Sequence, residues 1–569
     1  SGAANEFNQL VAGGGVTAPN TLGFTKLDAS ALKGKLTADV SAIAREWTDP
    51  TDSAVFLKTA ITGTDNDDTI YTTTVGGRTS IDGGKGKDKL VLVDANVGRN
   101  GRGEIAQITN IESLEARTQA GVAQTVDFDA LDNTIEQVLV RDENADDAMS
   151  TFTFNNVTKE FADNKKFVIQ HSVTENIAAG PDVALNINLK DASGKADVVT
   201  VEVINGKNTN DVFNYQVTAN GVEKINLVDS DTESNTVTLV SPFKQVDIAG
   251  GKQGNTYTVD NVSAATVNAA DYLGDLRIQA VGGAKADIDQ TITLGKGDDI
   301  VTFTGAGRLT SGDKVVGGEG HDIVRGVLDA DTKLNITGVE ELHLASTNSI
   351  NLDLGAGAAD VKKLVFVSDE SINTAPGVQQ DRILGGKVQN QLTGTAGAIA
   401  AGDIVTIDKS NITELNFSAD FDNDDDDGNA GTIFNHNFNG VNLKDNVVET
   451  LTVNVNAALD NVFKGGPTPD VAASYTVGHI TAHGTKNVDV KIADDRSQTA
   501  TLAATNTVIN NITGKNIENV TLSTKGDLNV GLVTTNATNN SIKTFDASAV
   551  VGNLTASVIG LGDGAVVKM

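Results

Sequence analysis

The sequence predicts an all-β protein made of several parallel β-solenoid or β-roll subdomains and β-sandwich-like subdomains. Three observations support this class. Short stretches of alternating apolar residues recur along the chain, strongly helical windows are scarce, and turns rich in Gly and Asp come in pairs. The composition agrees with it, because 58 Gly with only 7 Pro and 4% aromatic residues suit closely stacked backbones.

The predicted strands are short and bounded by Gly, Asn or Asp. Clear examples are KLVLV at 89–93, VTVEV at 199–203, TVTLV at 236–240 and LTVNVNA at 451–457. Their Val, Ile, Leu and Thr residues follow the two-residue period of a strand. The one helix that we expect covers residues 36–47, LTADVSAIAREW.

Charge and cysteine content exclude several classes of function. The 569 residues carry a net charge of −32, which disfavours binding to nucleic acid or an anionic membrane and favours binding of cations. The chain has no Cys, which excludes disulfides, Cys-ligated zinc and Cys catalysis. No stretch approaches about 20 apolar residues, so we expect no transmembrane segment.

Three internal repeats organise the chain. LDASALKGKLTADV at 27–40 and VNAADYLGDLRIQA at 267–280 are each followed by a Gly/Asp pair and then by a Glu-bearing strand, NIESLEA at 110–116 or GVEELHL at 338–344. FDASAVVGNLTASV at 545–558 resembles the first two segments. Looser relatives of the Glu-bearing strand lie at 134–140, 221–227, 447–453 and 516–522.

These repeats predict six regions. The last one begins a third module whose Gly/Asp pair would start just past Met569, so we expect the encoded protein to continue with further repeats. The regions are an N-terminal segment at 1–26, a first repeat module at 27–120, a β domain at 121–266, a second module at 267–345, a β domain with an acidic loop at 346–540, and the start of the third module at 541–569.

The Gly/Asp pairs carry the chemistry. GGKGKDKLV at 83–91 and GGEGHDIVR at 317–325 fit the nonapeptide G-G-x-G-x-D-x-U-x, where U is a large apolar residue, and GTDNDDTIY at 63–71 and LGKGDDIVT at 294–302 fit it in part. Glycine permits the turn conformations, carbonyl oxygens then face a Ca²⁺ ion, and the Asp carboxylate completes the cage.

The spacing predicts that the turns stack. Asp68 and Asp88 are 20 residues apart, and Asp299 and Asp322 are 23 apart, close to the about 18 residues of one coil. We therefore expect a Ca²⁺ between the members of each pair; the alternative is a set of Gly/Asp turns without metal. The candidate ligand positions are Gly63, Asp65, Asp67, Asp68, Gly83, Gly84, Gly86, Asp88, Gly295, Gly297, Asp298, Asp299, Gly317, Gly318, Gly320 and Asp322.

Other acidic runs are less specific. DFDNDDDDG at 420–428 is a candidate Ca²⁺ loop through Asp422, Asp424 and Asp426, with a solvated acidic loop as the alternative. It is not an EF-hand, because Phe434 stands where the bidentate Glu should be. We predict solvated loops for the acidic runs at 142–147, 229–233, 369–370 and 494–495.

No catalytic constellation emerges from the sequence. His479 and His483 form the string HITAH, but Ile480 occupies the position of the Glu that a zinc protease needs, and the surrounding residues are strand-like. No G-x-S-x-G, G-x-G-x-x-G or P-loop string occurs. We therefore predict that the protein is not an enzyme.

With these motifs the chain resembles the calcium-dependent S-layer proteins of Gram-negative bacteria, which carry RTX repeats and leave the cell by type I secretion. The strings that carry the resemblance are TGTDNDDTI, IDGGKGKDKLVL and ITNIESLEA, followed later by LGKGDDIVTF, DKVVGGEGHDIV and ITGVEELHL.

The resemblance implies an extracellular structural protein on the bacterial cell surface, which associates with itself in Ca²⁺ to form a two-dimensional lattice. It also implies contact with cell-surface lipopolysaccharide through a region outside this chain, and no nucleic-acid partner. The alternatives are a secreted RTX adhesin that binds a carbohydrate or a host protein, and the calcium-binding part of a secreted enzyme.

Overall fold

The chain folds into two compact units. The first unit contains Ser1–Arg277 and Gly295–Gly297, and the second contains Ile278–Leu294 and Asp298–Met569. The computed structural model of the protein describes residues 5–7, 25–44, 47–48, 56–143, 149–170, 182–204, 213–281, 288–306, 308–328, 330–346, 350–367, 382–384, 387–389, 404–418, 436–438, 440–444, 446, 448–456, 474–493, 506–524, 526–534 and 541–569.

Parallel sheets build the first unit. One sheet has the spatial order β1 (Asn5–Phe7), β3 (Leu36–Asp39), β7 (Thr69–Thr72), β9 (Lys89–Val93), β11 (Ser113–Thr118), β13 (Gln137–Asp142), β15 (Lys166–Gln170), β17 (Val198–Ile204), β19 (Lys224–Ser230), β21 (Gln245–Gly250) and β23 (Thr266–Asn268). A second has the order β2 (Lys26–Asp28), β6 (Thr59–Thr62), β8 (Thr79–Asp82) and β10 (Gln107–Thr109). A third has the order β12 (Gln124–Asp127), β14 (Ser150–Val157), β16 (Val183–Leu189), β18 (Phe213–Thr218), β20 (Asn235–Leu239), β22 (Thr256–Val262) and β24 (Asp275–Ala280), of which residues 278–280 are assigned to the second unit.

Short elements complete this unit. They are an antiparallel pair, β4 (Trp47–Thr48) with β5 (Phe56–Leu57), two helices, α1 (Ser41–Ala44) and α2 (Lys159–Asn164), and a 3₁₀ turn at Phe128–Ala130.

Parallel sheets also build the second unit. One has the order β25 (Thr291–Thr293), β27 (Lys314–Val316) and β30 (Asn335–Thr337). Another has the order β26 (Ile300–Ala306), β28 (Ile323–Leu328), β31 (Glu341–Ser346), β33 (Lys363–Val367), β37 (Glu414–Ser418), β40 (Thr450–Asn456), β42 (Asn487–Ala493), β44 (Asn519–Thr524), β46 (Ile542–Val550) and β48 (Leu561–Lys568). A third has the order β29 (Thr332–Lys333), β32 (Ile350–Asp353), β36 (Ile404–Asp408), β39 (Gly440–Leu443), β41 (Ser474–Ala482), β43 (Asn506–Thr513), β45 (Asp527–Thr534) and β47 (Leu554–Ile559).

Three further strands and a 3₁₀ turn belong to the second unit. Strand β38 (His436–Phe438) pairs with β41, β34 (Arg382–Leu384) and β35 (Lys387–Gln389) form an antiparallel pair, and the 3₁₀ turn covers Ala356–Ala358.

The pairing is that of a parallel solenoid. Thr69 of β7 pairs with Lys89 of β9, and Lys89 pairs with Ser113 of β11, so the same position recurs after 20 and then 24 residues. Strands that follow one another in sequence alternate between sheets, and each strand pairs with its counterpart on the next coil. The predicted all-β class is thereby confirmed.

Apolar side chains form continuous layers inside the coils. Ile70 pairs with Leu90, Leu90 with Leu114 and Leu114 with Val138, and all four are fully buried. Because successive side chains of a strand point to opposite faces, every second residue contributes to such a layer. Burial of one aliphatic side chain of this size stabilises the fold by about 1.5–3 kcal/mol.

The Glu-bearing segments recognised in the sequence occupy a repeated corner of the coil. The Asp88 carbonyl accepts hydrogen bonds from the backbone N–H groups of Glu112 and Ser113, and the Asp322 carbonyl accepts them from Glu340 and Glu341. The carbonyls of Glu112, Glu223, Glu340, Glu449 and Glu518 each accept two such bonds from the following coil in the same way.

The helix predicted over residues 36–47 is wrong for most of its length. Residues 36–39 form strand β3, only Ser41–Ala44 are helical, and Trp47–Thr48 form a strand. Leu36, Ala38 and Val40 alternate inward and are buried, which fits pairing of β3 with β7. Tertiary pairing therefore outweighs the moderate helix propensity of this segment.

The helices of the described ranges are all short, and α2 is six residues long. None of them has the length and apolar character that crossing a membrane requires.

Candidate metal sites in the stacked Gly/Asp turns

The turns at 63–68 and 83–88 lie directly on one another in the first unit. The backbone N–H of Lys85 donates to the Thr64 carbonyl at 3.0 Å, and that of Gly63 donates to the Asp82 carbonyl at 2.8 Å. A Cβ atom placed on Gly63 would lie 2.1 Å from the Gly83 carbonyl oxygen, so the approach of the two backbones requires glycine.

Two glycines of the upper turn need a conformation that other residues avoid. Gly84 has φ +99° and Gly86 has φ +127°. Gly84 also lies so close to the first turn that a Cβ would meet the Thr64 carbonyl oxygen at 2.0 Å. The left-handed backbone and the tight stacking together explain why the motif has glycine at these two positions.

Carboxylates connect successive coils at these turns. The Leu36 N–H donates to Asp68 Oδ1 at 2.8 Å, the Asp68 N–H to Asp88 Oδ1 at 2.7 Å, and the Asp88 N–H to Glu112 Oε2 at 2.7 Å. We call this series of N–H to carboxylate bonds the carboxylate ladder. It places Asp68 and Asp88 on successive coils, as their spacing predicts.

The second unit contains the same arrangement. The Asp299 N–H donates to Asp322 Oδ1 at 3.0 Å, and the Asp322 N–H donates to Glu340 Oε2 at 2.9 Å. Ile300 pairs with Ile323 directly after the two Asp residues. Gly317, at the start of the upper turn, lies against the Gly338 carbonyl, and Gly318 and Gly320 have φ near +115°.

The four Asp carboxylates of the ladder are buried, and two of them are incompletely satisfied. Asp68, Asp88, Asp299 and Asp322 are at most 1% exposed. The Oδ2 atoms of Asp88 and Asp322 are buried without a hydrogen-bond partner. An ionised oxygen in that position costs free energy unless a cation or a proton compensates it.

The pKa values reflect the same imbalance. Burial raises the pKa of Asp88 to about 7. The hydrogen bond from the Asp68 N–H lowers this pKa, whereas the charges of Asp68 and Glu112 raise it further. Burial likewise raises the pKa of Asp322 to about 7. The hydrogen bond from the Asp299 N–H lowers this pKa, and the charges of Asp299 and Glu340 raise it further.

Three of the predicted acidic ligands do not belong to the carboxylate ladder. Asp65, Asp67 and Asp298 are exposed. Asp65 forms an ion pair with Lys85, Asp67 forms one with Lys35, and Asp298 accepts a hydrogen bond from the His321 N–H. The structure therefore separates them from the buried carboxylates of the ladder.

The remaining predicted positions are two glycines of the first unit and three Asp residues that lie outside the described part of the chain. Gly295 and Gly297 lie against the carbonyls of Tyr272 and Gly274 in the first unit. Asp422, Asp424 and Asp426 lie outside the described residues, as do the acidic runs at 369–370 and 494–495.

Sequence reasoning missed Glu112 and Glu340 as members of the ladder. Both belong to the Glu-bearing segments at 110–116 and 338–344, which come next in the repeat order after each Gly/Asp pair. They lie 24 residues after Asp88 and 18 after Asp322, respectively. The signal was present in the repeat order, but Glu in place of Asp and the unequal intervals concealed it.

The donor set fits a hard cation. In the described ranges no three His, Asp or Glu side chains converge on one point as a metal cage. A cation at the ladder would therefore combine Asp oxygens with main-chain carbonyls of the glycine turns. Such an all-oxygen, irregular set suits Ca²⁺ and does not suit Zn²⁺.

Comparison with known proteins adds no relative. No protein-family model, curated protein or solved structure matches this chain.

Two acidic runs predicted as solvated loops begin with buried side chains instead. Asp142 is 8% exposed, and Asp229 and Asp231 are 3% and 4% exposed. Asp142 and Asp229 take inward positions near the ends of β13 and β19, because the strand alternation continues into the acidic run.

His479 lies in strand β41, where the string HITAH cannot place two imidazoles on one helix face.

Proposed function

We propose that the chain is a Ca²⁺-binding structural protein that assembles with copies of itself into a two-dimensional layer on a bacterial cell surface. The observation that carries the calcium part is the buried, unpartnered Oδ2 of Asp88 and of Asp322, each within stacked glycine turns. The layer and the surface location rest on the resemblance of the repeats to S-layer proteins with RTX motifs.

The mechanism follows from the ladder. Asp68 with Asp88, and Asp299 with Asp322, would hold the ion together with turn carbonyls. A bound Ca²⁺ neutralises carboxylates that otherwise repel one another in a buried place. Because the turns come together only when the coils stack, binding free energy becomes folding free energy, about 2.7 kcal/mol at a free Ca²⁺ concentration 100 times Kd.

Self-association would then depend on calcium. Solenoid stability is approximately a sum of terms between neighbouring coils, so ordering one stack of turns stabilises the coils on either side. An ordered coil presents its loops at fixed positions, which a regular lattice needs. Anchoring to lipopolysaccharide would use a region outside this chain.

Electron microscopy of the purified chain tests the proposal. In millimolar Ca²⁺ we expect ordered sheets, which disperse in EGTA and do not return with Mg²⁺, since Mg²⁺ demands a tighter octahedral shell. The double variant D88N/D322N should form no sheets, whereas D65N, at an exposed position of the same turn, should assemble like the wild type.

Two other outcomes would reject parts of this proposal. Calcium-dependent melting with monomers only would reject the layer and favour the secreted adhesin. A melting temperature that is the same in Ca²⁺ and in EGTA would reject calcium binding by the turns.

A further inference from the structure

A buried polar corner lies between strands β19 and β20 in the first unit, away from the Gly/Asp turns. Ile225, Leu227 and Asp229 take successive inward positions of β19, and Asn235 takes the first inward position of β20. Asp229, Asp231 and Asn235 are 3%, 4% and 1% exposed. Polar side chains therefore fill positions that apolar residues occupy on most coils.

The hydrogen-bond donors around this corner already bind other oxygens of the two carboxylates. Asp229 Oδ1 accepts from the Asp231 N–H and from Asn235 Nδ2, both at 3.2 Å, and Asp229 Oδ2 accepts from the Tyr272 hydroxyl at 2.9 Å. Asp231 Oδ1 accepts from the backbone N–H groups of the two residues that follow it. Neither carboxylate forms an ion pair with a Lys, Arg or His among the described residues.

Two oxygens remain without a partner. Asp231 Oδ2 and Asn235 Oδ1 are buried and accept no hydrogen bond. Both are acceptors, so only a cation or an added donor can satisfy them. The Asn235 oxygen is an observation independent of the acidic pair, because its amide nitrogen already bonds to Asp229 and the oxygen is left over.

The next coil packs closely against strand β19 at this corner. Gly250 pairs with Asp229 and carries no side chain, and its φ is +89°. A Cβ on Gly250 would lie 2.1 Å from the Asp229 carbonyl oxygen. The ring of Tyr272 lies against Gly251, so its hydroxyl reaches the corner.

We propose that Asp229, Asp231 and Asn235 bind a hard divalent cation, with Ca²⁺ as the expected ion, at a site separate from the Gly/Asp turns. Two carboxylates balance the charge of a divalent ion, and an amide oxygen with carboxylate oxygens is a donor set that Ca²⁺ accepts. Burial raises the pKa of Asp229 to about 6, which agrees with a corner that lacks positive charge.

Terbium luminescence provides the test, since Tb³⁺ replaces Ca²⁺ and emits when a neighbouring tyrosine is excited. Tyr272 donates to Asp229 and stacks on Tyr257 with ring centroids 5.9 Å apart, so this site has its own sensitisers. The full chain is used in a D88N/D322N background, so that the proposed turn sites and this one can fail independently. We expect tyrosine-sensitised emission that Ca²⁺ displaces.

Variants of opposite direction make the test decisive. D231N should weaken Tb³⁺ binding by about 10-fold or more, and N235D should strengthen it by about 10-fold, because ligand charge sets the affinity of such sites. D247N is the matched control: Asp247 lies in the adjacent strand β21 and pairs with Lys224, so its emission should equal that of the background.

Three results would overturn the proposal. The first is emission that D231N and D247N leave equally unchanged. The second is an N235D variant without tighter binding, although circular dichroism shows it folded. The third is a D231N variant whose gain in stability is the same in Ca²⁺ and in EGTA, because the corner then holds a shared proton and no cation.

Discussion

At the scale of single residues, position on the coil decides what a carboxylate does. Asp65 and Asp68 are three residues apart in one turn, but Asp65 is exposed beside Lys85, and Asp68 is buried in the ladder. Like charges in a buried place are costly when alone and favourable around a cation. The same side chain can therefore lower stability without calcium and raise it with calcium.

The variant Asp88→Asn tests this reversal of sign. In EGTA we expect D88N to be more stable than the wild type by about 1–3 kcal/mol, because the unpartnered buried charge is removed. In saturating Ca²⁺ we expect it to be less stable, because a ligand is lost. Urea unfolding in both buffers measures the two differences.

The control for this prediction is Asp65→Asn in the same turn. Its unfolding free energy should stay within about 0.5 kcal/mol of the wild type in either buffer, as for most surface substitutions. A D88N variant that is destabilised equally in both buffers would make the ladder a purely structural device.

Residue by residue, the sequence predicted part of the site. The spacing of Asp68 and Asp88 was informative because a nearly fixed coil length converts sequence distance into stacking. Glu112 was missed because the coil after Asp88 carries an insertion, so that Glu112 does not lie at the expected distance of one coil from Asp88. Burial of Asp229 was missed because an acidic residue at a strand end is usually solvated, and only the inward alternation of β19 could have indicated otherwise.

At the scale of elements, helix α2 shows how the solenoid accommodates a non-strand insertion. Thr158 caps the helix, with its hydroxyl accepting the Phe161 N–H at 3.3 Å. Phe161 packs on Phe128 and Phe167 with ring centroids 5.1 and 5.2 Å apart. A chain with few aromatic residues thus concentrates several of them where a short helix has to be held against strands.

The variant Phe161→Ala tests the role of this cluster. We expect a loss of about 3–5 kcal/mol in the free energy of unfolding of the first unit, since a large buried aromatic leaves a cavity. Urea unfolding followed by far-UV circular dichroism at fixed calcium measures it. Val122→Ala, at a 44% exposed position, should change little; equal effects of the two changes would mean that α2 is dispensable.

The wrong helix at 36–47 belongs to this scale too. Apolar residues at 36, 38 and 40 support a strand, and those at 36, 40, 43 and 44 support a helix, so the pattern was ambiguous. Pairing with β7 decided between them in the folded chain.

At the scale of the whole molecule, each unit repeats one local rule. A corner carbonyl receives two N–H groups from the next coil in both units, from Asp88 in the first to Glu518 in the second. Contacts are therefore mostly between neighbouring coils, as in repeat proteins generally. Loss of one ion should weaken the coils near it more than distant coils.

Hydrogen exchange with mass spectrometry tests this locality. On transfer from Ca²⁺ to EGTA we expect strands β9 and β28 to lose protection by about 10-fold or more, equivalent to 1.4 kcal/mol of local opening. Strands β16 and β42, which lie on other coils, should keep most of theirs. Uniform loss across all four strands would contradict nearest-neighbour behaviour, and no loss anywhere would contradict calcium in the turns.

The direction of the carboxylate ladder has a consequence for synthesis. Each backbone N–H of the ladder is satisfied by a carboxylate that comes later in the chain, 20 residues on for Asp68 and 24 for Asp88. A ribosome adds about 5–20 residues per second. A newly made turn thus waits about 1–5 s for its acceptor to be translated, and during that interval its backbone N–H lacks the carboxylate that satisfies it in the folded chain.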